Sequence, residues 1–207
     1  MICIFTLINY IRLFMKLLFC SSNIGKTQEI QYKFGESITI QNLLDIGCTE
    51  DIPETADTFA GNALLKARYG YENFNVACFS DDSGLEVTAL DNAPGVYSAR
   101  YAGIPKSDTR NMDKLLFELQ GVKNRNACFK TVISYIDSFG NASSFEGKIE
   151  GEILEEKRGS QGFGYDPIFL PKGYTKTFAE MNLAEKSNLS HRSIALEKFY
   201  SFLLKNS

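Results

Sequence analysis

An α/β fold built on a mixed sheet is what this sequence predicts. Two observations predict it. Short apolar runs alternate with helical stretches through the first half. A strand-like alternating stretch, a turn and a returning strand then form a hairpin. The 207 residues suit one domain or two closely packed lobes, and no linker, repeat or low-complexity tract divides them.

Composition narrows the chemistry. Charged and apolar fractions of 23% and 44% are ordinary for a soluble globular protein. A formal net charge of −3 offers no broad basic surface, so no nucleic-acid partner is expected, and any polyanion must be small and met locally. The five cysteines (Cys3, Cys20, Cys48, Cys78, Cys128) are odd in number and lack paired or metal-type spacing. They read as reduced thiols of a cytoplasmic protein. A single histidine excludes a multi-histidine metal site. Met1 to Phe14 is apolar with one charge, Arg12. It is too short to span a bilayer and precedes no small-residue cleavage site, so no membrane partner is expected. Residues 1–14 read as an N-terminal extension or start-site artefact ahead of a single domain over residues 15–207. Met15-Lys16-Leu17-Leu18-Phe19-Cys20 then looks like an initiator Met and a first core strand.

Leu17 to Cys20 supplies that strand, and Ser21-Ser22-Asn23-Ile24-Gly25-Lys26 is a tight loop before a helix over Thr27 to Phe34. A strand feeding a polar loop and a helix N-terminus makes a natural anion site. Gly25-Lys26-Thr27 imitates the end of a Walker loop, but Cys20 stands where the first Gly is required, and the reading fails on spacing. By itself Lys26 is a solvated helix-start lysine. Ile38 to Leu44 is a second strand. Pro53 holds the chain extended, Thr55 or Asp57 caps a helix starting near Thr58, and Phe59, Ala63, Leu64 and Ala67 mark its apolar face. Val76 to Phe79 is a third strand that stops at Asp81-Asp82. Ser83-Gly84 turns the backbone, and Leu85 to Leu90 forms another strand. Asp91 to Gly95 is turn chemistry. Ser107 caps a helix with Met112, Leu115, Leu116 and Leu119 inward. Ala127 to Ile136 and Ser144 to Leu154 are the hairpin strands around Phe139-Gly140-Asn141. Ser190 caps a last helix with Ala195, Leu196, Phe199 and Leu203 on one face.

The chemistry-bearing stretches are weak singly. Asp81 and Asp82 at a strand end need a cationic partner, and Mg²⁺ characteristically takes one or two carboxylates while sharing phosphates and water. A capped polar turn is the plainer reading. Glu54 is alone a loop carboxylate, and with Asp82 a second metal carboxylate. Gly159 to Pro167 sets three glycines beside Phe163 and Tyr165, which suits backbone approach to a flat ligand and stacking on a base. His191 and Arg192 fall in the first turn of the last helix, where the dipole disfavours positive side chains unless an anion or base lies near. Together with Lys186, these elements suit a nucleoside triphosphate with Mg²⁺.

Six blocks then carry a resemblance. They are Ser-Ser-Asn-Ile-Gly-Lys, Ser-Asp-Asp-Ser-Gly-Leu-Glu-Val, Ala-Pro-Gly-Val-Tyr-Ser-Ala-Arg-Tyr-Ala-Gly, Gly-Phe-Gly-Tyr-Asp-Pro-Ile-Phe, Thr-Phe-Ala-Glu-Met and Lys-Ser-Asn-Leu-Ser-His-Arg. From about Met15 onward the chain resembles the inosine triphosphate pyrophosphatase (Ham1/RdgB-like) family. It departs from the family in Ser22, which replaces a Gly in the first loop, and in residues 1–14. The resemblance implies an elongated α/β structure of two lobes around a central cleft, and usually a homodimer. It also implies hydrolysis of ITP, dITP and XTP to the monophosphate and pyrophosphate, which clears deaminated purines from the nucleotide pool.

By motif match, Asp82 would be the proton acceptor and a Mg²⁺ ligand, and Glu54 a further ligand. Ser83 would touch substrate. Ser21, Ser22, Asn23, Ile24, Gly25 and Lys26 would bind the triphosphate. Phe163, Gly164, Tyr165, Asp166, Lys186, His191 and Arg192 would hold the base and the remaining phosphate contacts. Donors aimed at the 6-oxo group of hypoxanthine or xanthine would be stranded by adenine's amino group, and His191, Arg192 or backbone N–H groups are the candidates. Two rival readings are a Maf-like pyrophosphatase on modified nucleotides and a catalytically silent nucleotide-binding module.

Overall fold

A computed structural model describes residues 15–50 and 52–206, so the extension assigned to residues 1–14 lies outside the described residues. The chain runs β1 (Met15–Phe19), α1 (Ile24–Phe34), β2 (Ile38–Asn42), α2 (Phe59–Phe74), β3 (Cys78–Val87), α3 (Asp108–Glu118), β4 (Asn126–Ile136), β5 (Ala142–Ile153), β6 (Phe169–Pro171), α4 (Leu183–Ser187) and α5 (His191–Lys205). Several helix starts carry the expected chemistry. Ser107 accepts from the Arg110 N–H and Ser190 from the Ser193 N–H. Thr58, rather than Thr55 or Asp57, caps α2 by accepting from the Gly61 N–H.

One six-stranded mixed sheet has the order β2-β1-β3-β4-β5-β6. β1 pairs in parallel with β2 and β3, whereas β3 to β6 run antiparallel. The expected α/β mixed sheet is therefore present, and its long hairpin pairs Asn126 with Glu152 through to Ile136 with Ala142.

Two expectations are corrected. The Asp81-Asp82-Ser83-Gly84 stretch is neither a strand end nor a turn. It lies inside the continuous β3, with Asp81 opposite Ile133, Asp82 opposite Val132 and Gly84 opposite Lys130. Gly84 serves close packing instead. A Cβ there would collide with the Gly95 carbonyl and the Ser98 hydroxyl of the 3-10 helix Gly95–Arg100. The expected second strand is also shorter, giving way to a 3-10 turn at Leu44–Ile46.

Two main apolar cores flank this polar stretch. Leu17, Phe19, Ile30, Phe34, Phe79, Ile133 and Phe199 form one. Leu85, Val87, Leu115, Phe129, Phe169 and Phe178 belong to the other. β3 contributes Phe79 to the first and Leu85 to the second, so Ser80 to Gly84 lies between two lobes. Burying carboxylates at that waist is tolerable only where cations arrive from other elements.

Candidate active site

Successive residues of a strand face opposite sides of its sheet, so Asp81 and Asp82 meet different partners. Asp81 accepts from Lys26 Nζ of α1 at 2.9 Å and from Arg192 Nε of α5 at 3.0 Å. Arg192 Nη1 continues to Glu29, and Lys186 Nζ lies 2.7 Å from Glu29 and 2.6 Å from Asp166. Ser83 Oγ donates to Asp81 at 2.9 Å while accepting from Arg192 Nη2 and Thr131 Oγ1. On the other side Lys66 Nζ of α2 lies 2.6 Å from Glu54 and 3.6 Å from Asp82, and Arg100 Nη1 is 3.3 Å from Glu54. Asn62 Nδ2 donates to Asp82 at 3.2 Å, and Asn62 Oδ1 accepts from the Ala56 N–H, tying the Glu54 segment to α2.

Two ion-pair chains result. Lys26–Asp81–Arg192–Glu29–Lys186–Asp166 carries three cations and three carboxylates. Asp82–Lys66–Glu54–Arg100 carries two of each. Each chain is formally neutral, which is what keeps ten buried or half-buried charges affordable. Both border one cavity of about 340 Å³, large enough for a small-molecule ligand.

The two neighbouring aspartates differ in electrostatics. Burial alone would raise the Asp81 carboxyl, but Lys26, Arg192 and Lys66 outweigh it and hold it far below the carboxylate range. Asp82 is raised instead. Burial raises it, Glu54 and Asp81 add to the rise, and Lys66 and Lys26 only partly oppose it. Burial would likewise raise Glu54, but Lys66 prevails and keeps it ionised. With only two long contacts, Asp82 retains unused lone pairs at the cavity wall, so the donor set of Asp82 and Glu54 fits a further hard cation. Among the described residues no group of three or more His, Cys, Asp or Glu is placed to hold a metal ion.

His191 is buried and stacks on Phe129, with ring centroids 4.7 Å apart and planes 8° from parallel. Its Nδ1 is the one buried side-chain polar atom without a partner among the described residues. Burial, then the nearby Arg192 and Lys186, push its pKa well below the ordinary value. It is therefore neutral at neutral pH, which removes one positive charge from the first turn of α5. The anions beside Arg192 are the protein's own Asp81 and Glu29.

A pH test follows. The unfolded chain protonates its one histidine near pH 6.5 while the folded chain does not, so stability rises with pH between the depressed folded value and about 6.5. The expected result, by urea denaturation at stepped pH, is a loss of stability below about pH 6.5 that is missing in His191→Phe. A histidine NMR signal titrating near 6.5 in the folded protein would contradict it.

Of the sequence-predicted residues, Ser21, Ser22, Asn23, Lys26, Glu54, Asp82, Ser83, Phe163, Gly164, Tyr165, Asp166, Lys186, His191 and Arg192 all border the cavity. Ile24 and Gly25 do not. Ile24 is 60% exposed, and Gly25 backs onto the Phe163 ring, which a Cβ would press at 3.0 Å. Their place as the first residues of α1, after the Asn23 cap, explains this: the loop is shorter and the helix earlier than the sequence suggests. Phe163 takes Lys186 and Arg192 against its ring, at 4.9 and 5.7 Å. Asp166 accepts from the Phe163 N–H, and Tyr165 donates to the Ser98 carbonyl.

Sequence reasoning missed Glu29, Asn62, Lys66 and Arg100. Asn62 and Lys66 stand four apart beside Ala63 and Ala67 on the buried face of α2, and that polar pair within an apolar stripe was the available signal. Glu29 carries no such signal. Arg100 lay within a resembling block without an assigned role.

Comparison with known proteins is consistent with this geometry. Residues 17–202 match the model described as the Ham1 family. A dITP/XTP pyrophosphatase of Porphyromonas gingivalis is 53% identical over 190 residues, covering 91% of this chain and 97% of that protein. A dITP/XTP pyrophosphatase of Flavobacterium psychrophilum is 53% identical over 188 residues, covering 91% and 98%. The solved structure of the Staphylococcus aureus Ham1 protein superposes with a TM-score of 0.83 at 38% identity, covering 93% of this chain and 100% of that one.

Proposed function

The chain belongs to the Ham1 family, and we infer from that membership that it hydrolyses the non-canonical purine triphosphates ITP, dITP and XTP to the monophosphate and pyrophosphate. The observation that carries the reading at the level of chemistry is Asp82. It is a cavity-wall carboxylate with raised proton affinity and spare lone pairs, set beside a carboxylate kept ionised.

In this reading Asp82 takes the proton of an attacking water as its oxygen bonds to phosphorus. The α–β phosphoanhydride bond breaks, and pyrophosphate leaves with the bonding electron pair. Glu54 and Asp82 would hold Mg²⁺, which when bound supplies positive charge to the phosphate oxygens. Lys66, lying between the two carboxylates, orients them and adds a cation to the developing charge. Lys26 stands at the N-terminus of α1 with Ser21, Ser22 and Asn23, where backbone N–H groups and the helix dipole favour a triphosphate. Ser83 orients Asp81 and Arg192 beside it.

The base is assigned to the wall of Phe163, Gly164, Tyr165 and Asp166, with Lys186, His191 and Arg192 at its edge. The unpartnered His191 Nδ1 supports this, since a buried polar atom left unpaired is costly and a base edge would satisfy it. Arg192 already gives all three nitrogens to Asp81, Glu29 and Ser83. His191 and backbone N–H groups are therefore the better candidates for reading a 6-oxo group. The resemblance also supports a cytoplasmic homodimer. Among the described residues no helix is long and apolar enough to cross a membrane.

The test is pyrophosphate release from XTP, dITP, GTP and ATP, with Mg²⁺ and with EDTA. Metal-dependent release that favours XTP and dITP is expected, with loss of turnover in EDTA. Equal turnover of all four would sink the base-reading role, and orthophosphate as the sole product would sink the reaction itself.

A further inference from the structure

We propose that Asp108 is a positioning residue for substrate: its carboxylate, at the start of α3, holds the Phe163–Tyr165 wall in place at the cavity edge. The inference rests on the reading of that wall as the base-binding surface.

The wall has little regular structure of its own. Its polar anchors divide into two sets. Phe163 N–H to Asp166 and Asp166 N–H to the Phe163 carbonyl lie within the wall, and Lys186 of α4 adds a bond to Asp166. The other set comes from α3 and the 3-10 helix Gly95–Arg100. Asp108 Oδ2 accepts from the Gly164 N–H at 2.7 Å across 56 residues of sequence. The Ser98 carbonyl accepts from Tyr165 Oη at 2.9 Å and also from Asn111 Nδ2 at 3.3 Å. Asn111 further donates to the Ala99 carbonyl and accepts from the Ala102 N–H, so the base of α3 and the 3-10 helix Gly95–Arg100 form one braced unit. Ser98 Oγ in turn accepts from the Leu85 N–H of β3, three residues from Asp82. The wall is thus referenced to the strand that carries the chemistry.

Within that set the Asp108 contact is a charge-assisted hydrogen bond from a side chain that is itself exposed and borders the cavity. Gly164 has φ +63, a left-handed backbone that glycine adopts freely, so the segment depends on external anchors to stay in one conformation. A base sandwiched against Phe163 needs that wall fixed before it arrives, because loop ordering would otherwise be charged against binding. Loss of the anchor should therefore appear in KM rather than in the chemical step.

Asp108 is also the first residue of α3, where a negative charge favours the helix dipole. The two roles separate by substitution. The dipole role needs charge and is lost in both Asp108→Ala and Asp108→Asn. The anchor needs only an acceptor oxygen and survives in Asp108→Asn.

The experiment measures steady-state pyrophosphate release from XTP on the full chain, together with amide hydrogen exchange of the 159–166 segment without nucleotide. In Asp108→Ala, KM should rise about tenfold, the size a lost hydrogen bond to a charged acceptor supports, with kcat within about twofold. Exchange should quicken in the same variant. Asp108→Asn, a neutral and weaker acceptor, should recover a large part of both readouts. An unmoved KM or unmoved exchange in Asp108→Ala overturns the inference, as does an Asn variant behaving like the Ala variant. Wild-type protein that releases no pyrophosphate sinks the functional reading with it. Active wild type with an unmoved Ala variant sinks only the anchor.

Discussion

Asp82→Asn is expected to lower kcat for XTP or dITP by about 10²–10⁴-fold, the range a positioned proton acceptor contributes. The substitution keeps the shape and the contact with Asn62 but removes the basic lone pair. It should cost little stability. Lys66 sits 3.6 Å from Asp82 but 2.6 Å from Glu54, so the lysine keeps its nearer partner. Removing one carboxylate from a raised, crowded group also relieves repulsion from Glu54 and Asp81. The measurement is kcat beside Tm. Turnover within threefold of wild type would move the proton-acceptor role to another group, whereas a collapsed Tm would mean that Asp82 is structural.

Asp81→Asn should do the reverse, acting first on stability. Asp81 is fully buried and takes Lys26, Arg192 and Ser83 together. Neutralising it leaves the first ion-pair chain with one excess buried positive charge. Breaking a buried pair in this way costs on the order of 3–5 kcal/mol. For a domain of this size that corresponds to a Tm lowered by about 10 °C. The pH dependence has a definite sign. The folded carboxyl lies far below its unfolded value near 3.9, so its stabilisation is fully present above that pH and is lost as pH falls below it. The variant should lack this part of the acid limb. A loss below about 1 kcal/mol in urea denaturation would show the chain to be solvated rather than buried.

These opposite expectations for adjacent residues explain what was legible beforehand. The helix caps Ser107 and Ser190, the apolar face of α5 and the hairpin were readable because they rest on local spacing and local hydrogen bonds. The resembling blocks brought most of the cavity wall with them. The continuity of β3 was not readable. Asp-Asp-Ser-Gly has the composition of a turn, and it becomes a strand interior only because α1, α2 and α5 deliver cations and an amide to it. Glu29 was hidden for the same reason, and Lys66 showed only as a polar residue within the apolar stripe of α2.

The sequence by itself determined the α/β class, the mixed sheet with its hairpin, the residue types around the cavity and the family. Those follow from periodicity, capping and motif blocks, all properties of neighbouring residues. Only the tertiary structure decided which aspartate is locked and which is free, that His191 is neutral, and that the site's cations are already paired. Such properties depend on burial and on charges brought together from distant parts of the chain. In a low-dielectric interior those two terms outweigh a residue's intrinsic tendency.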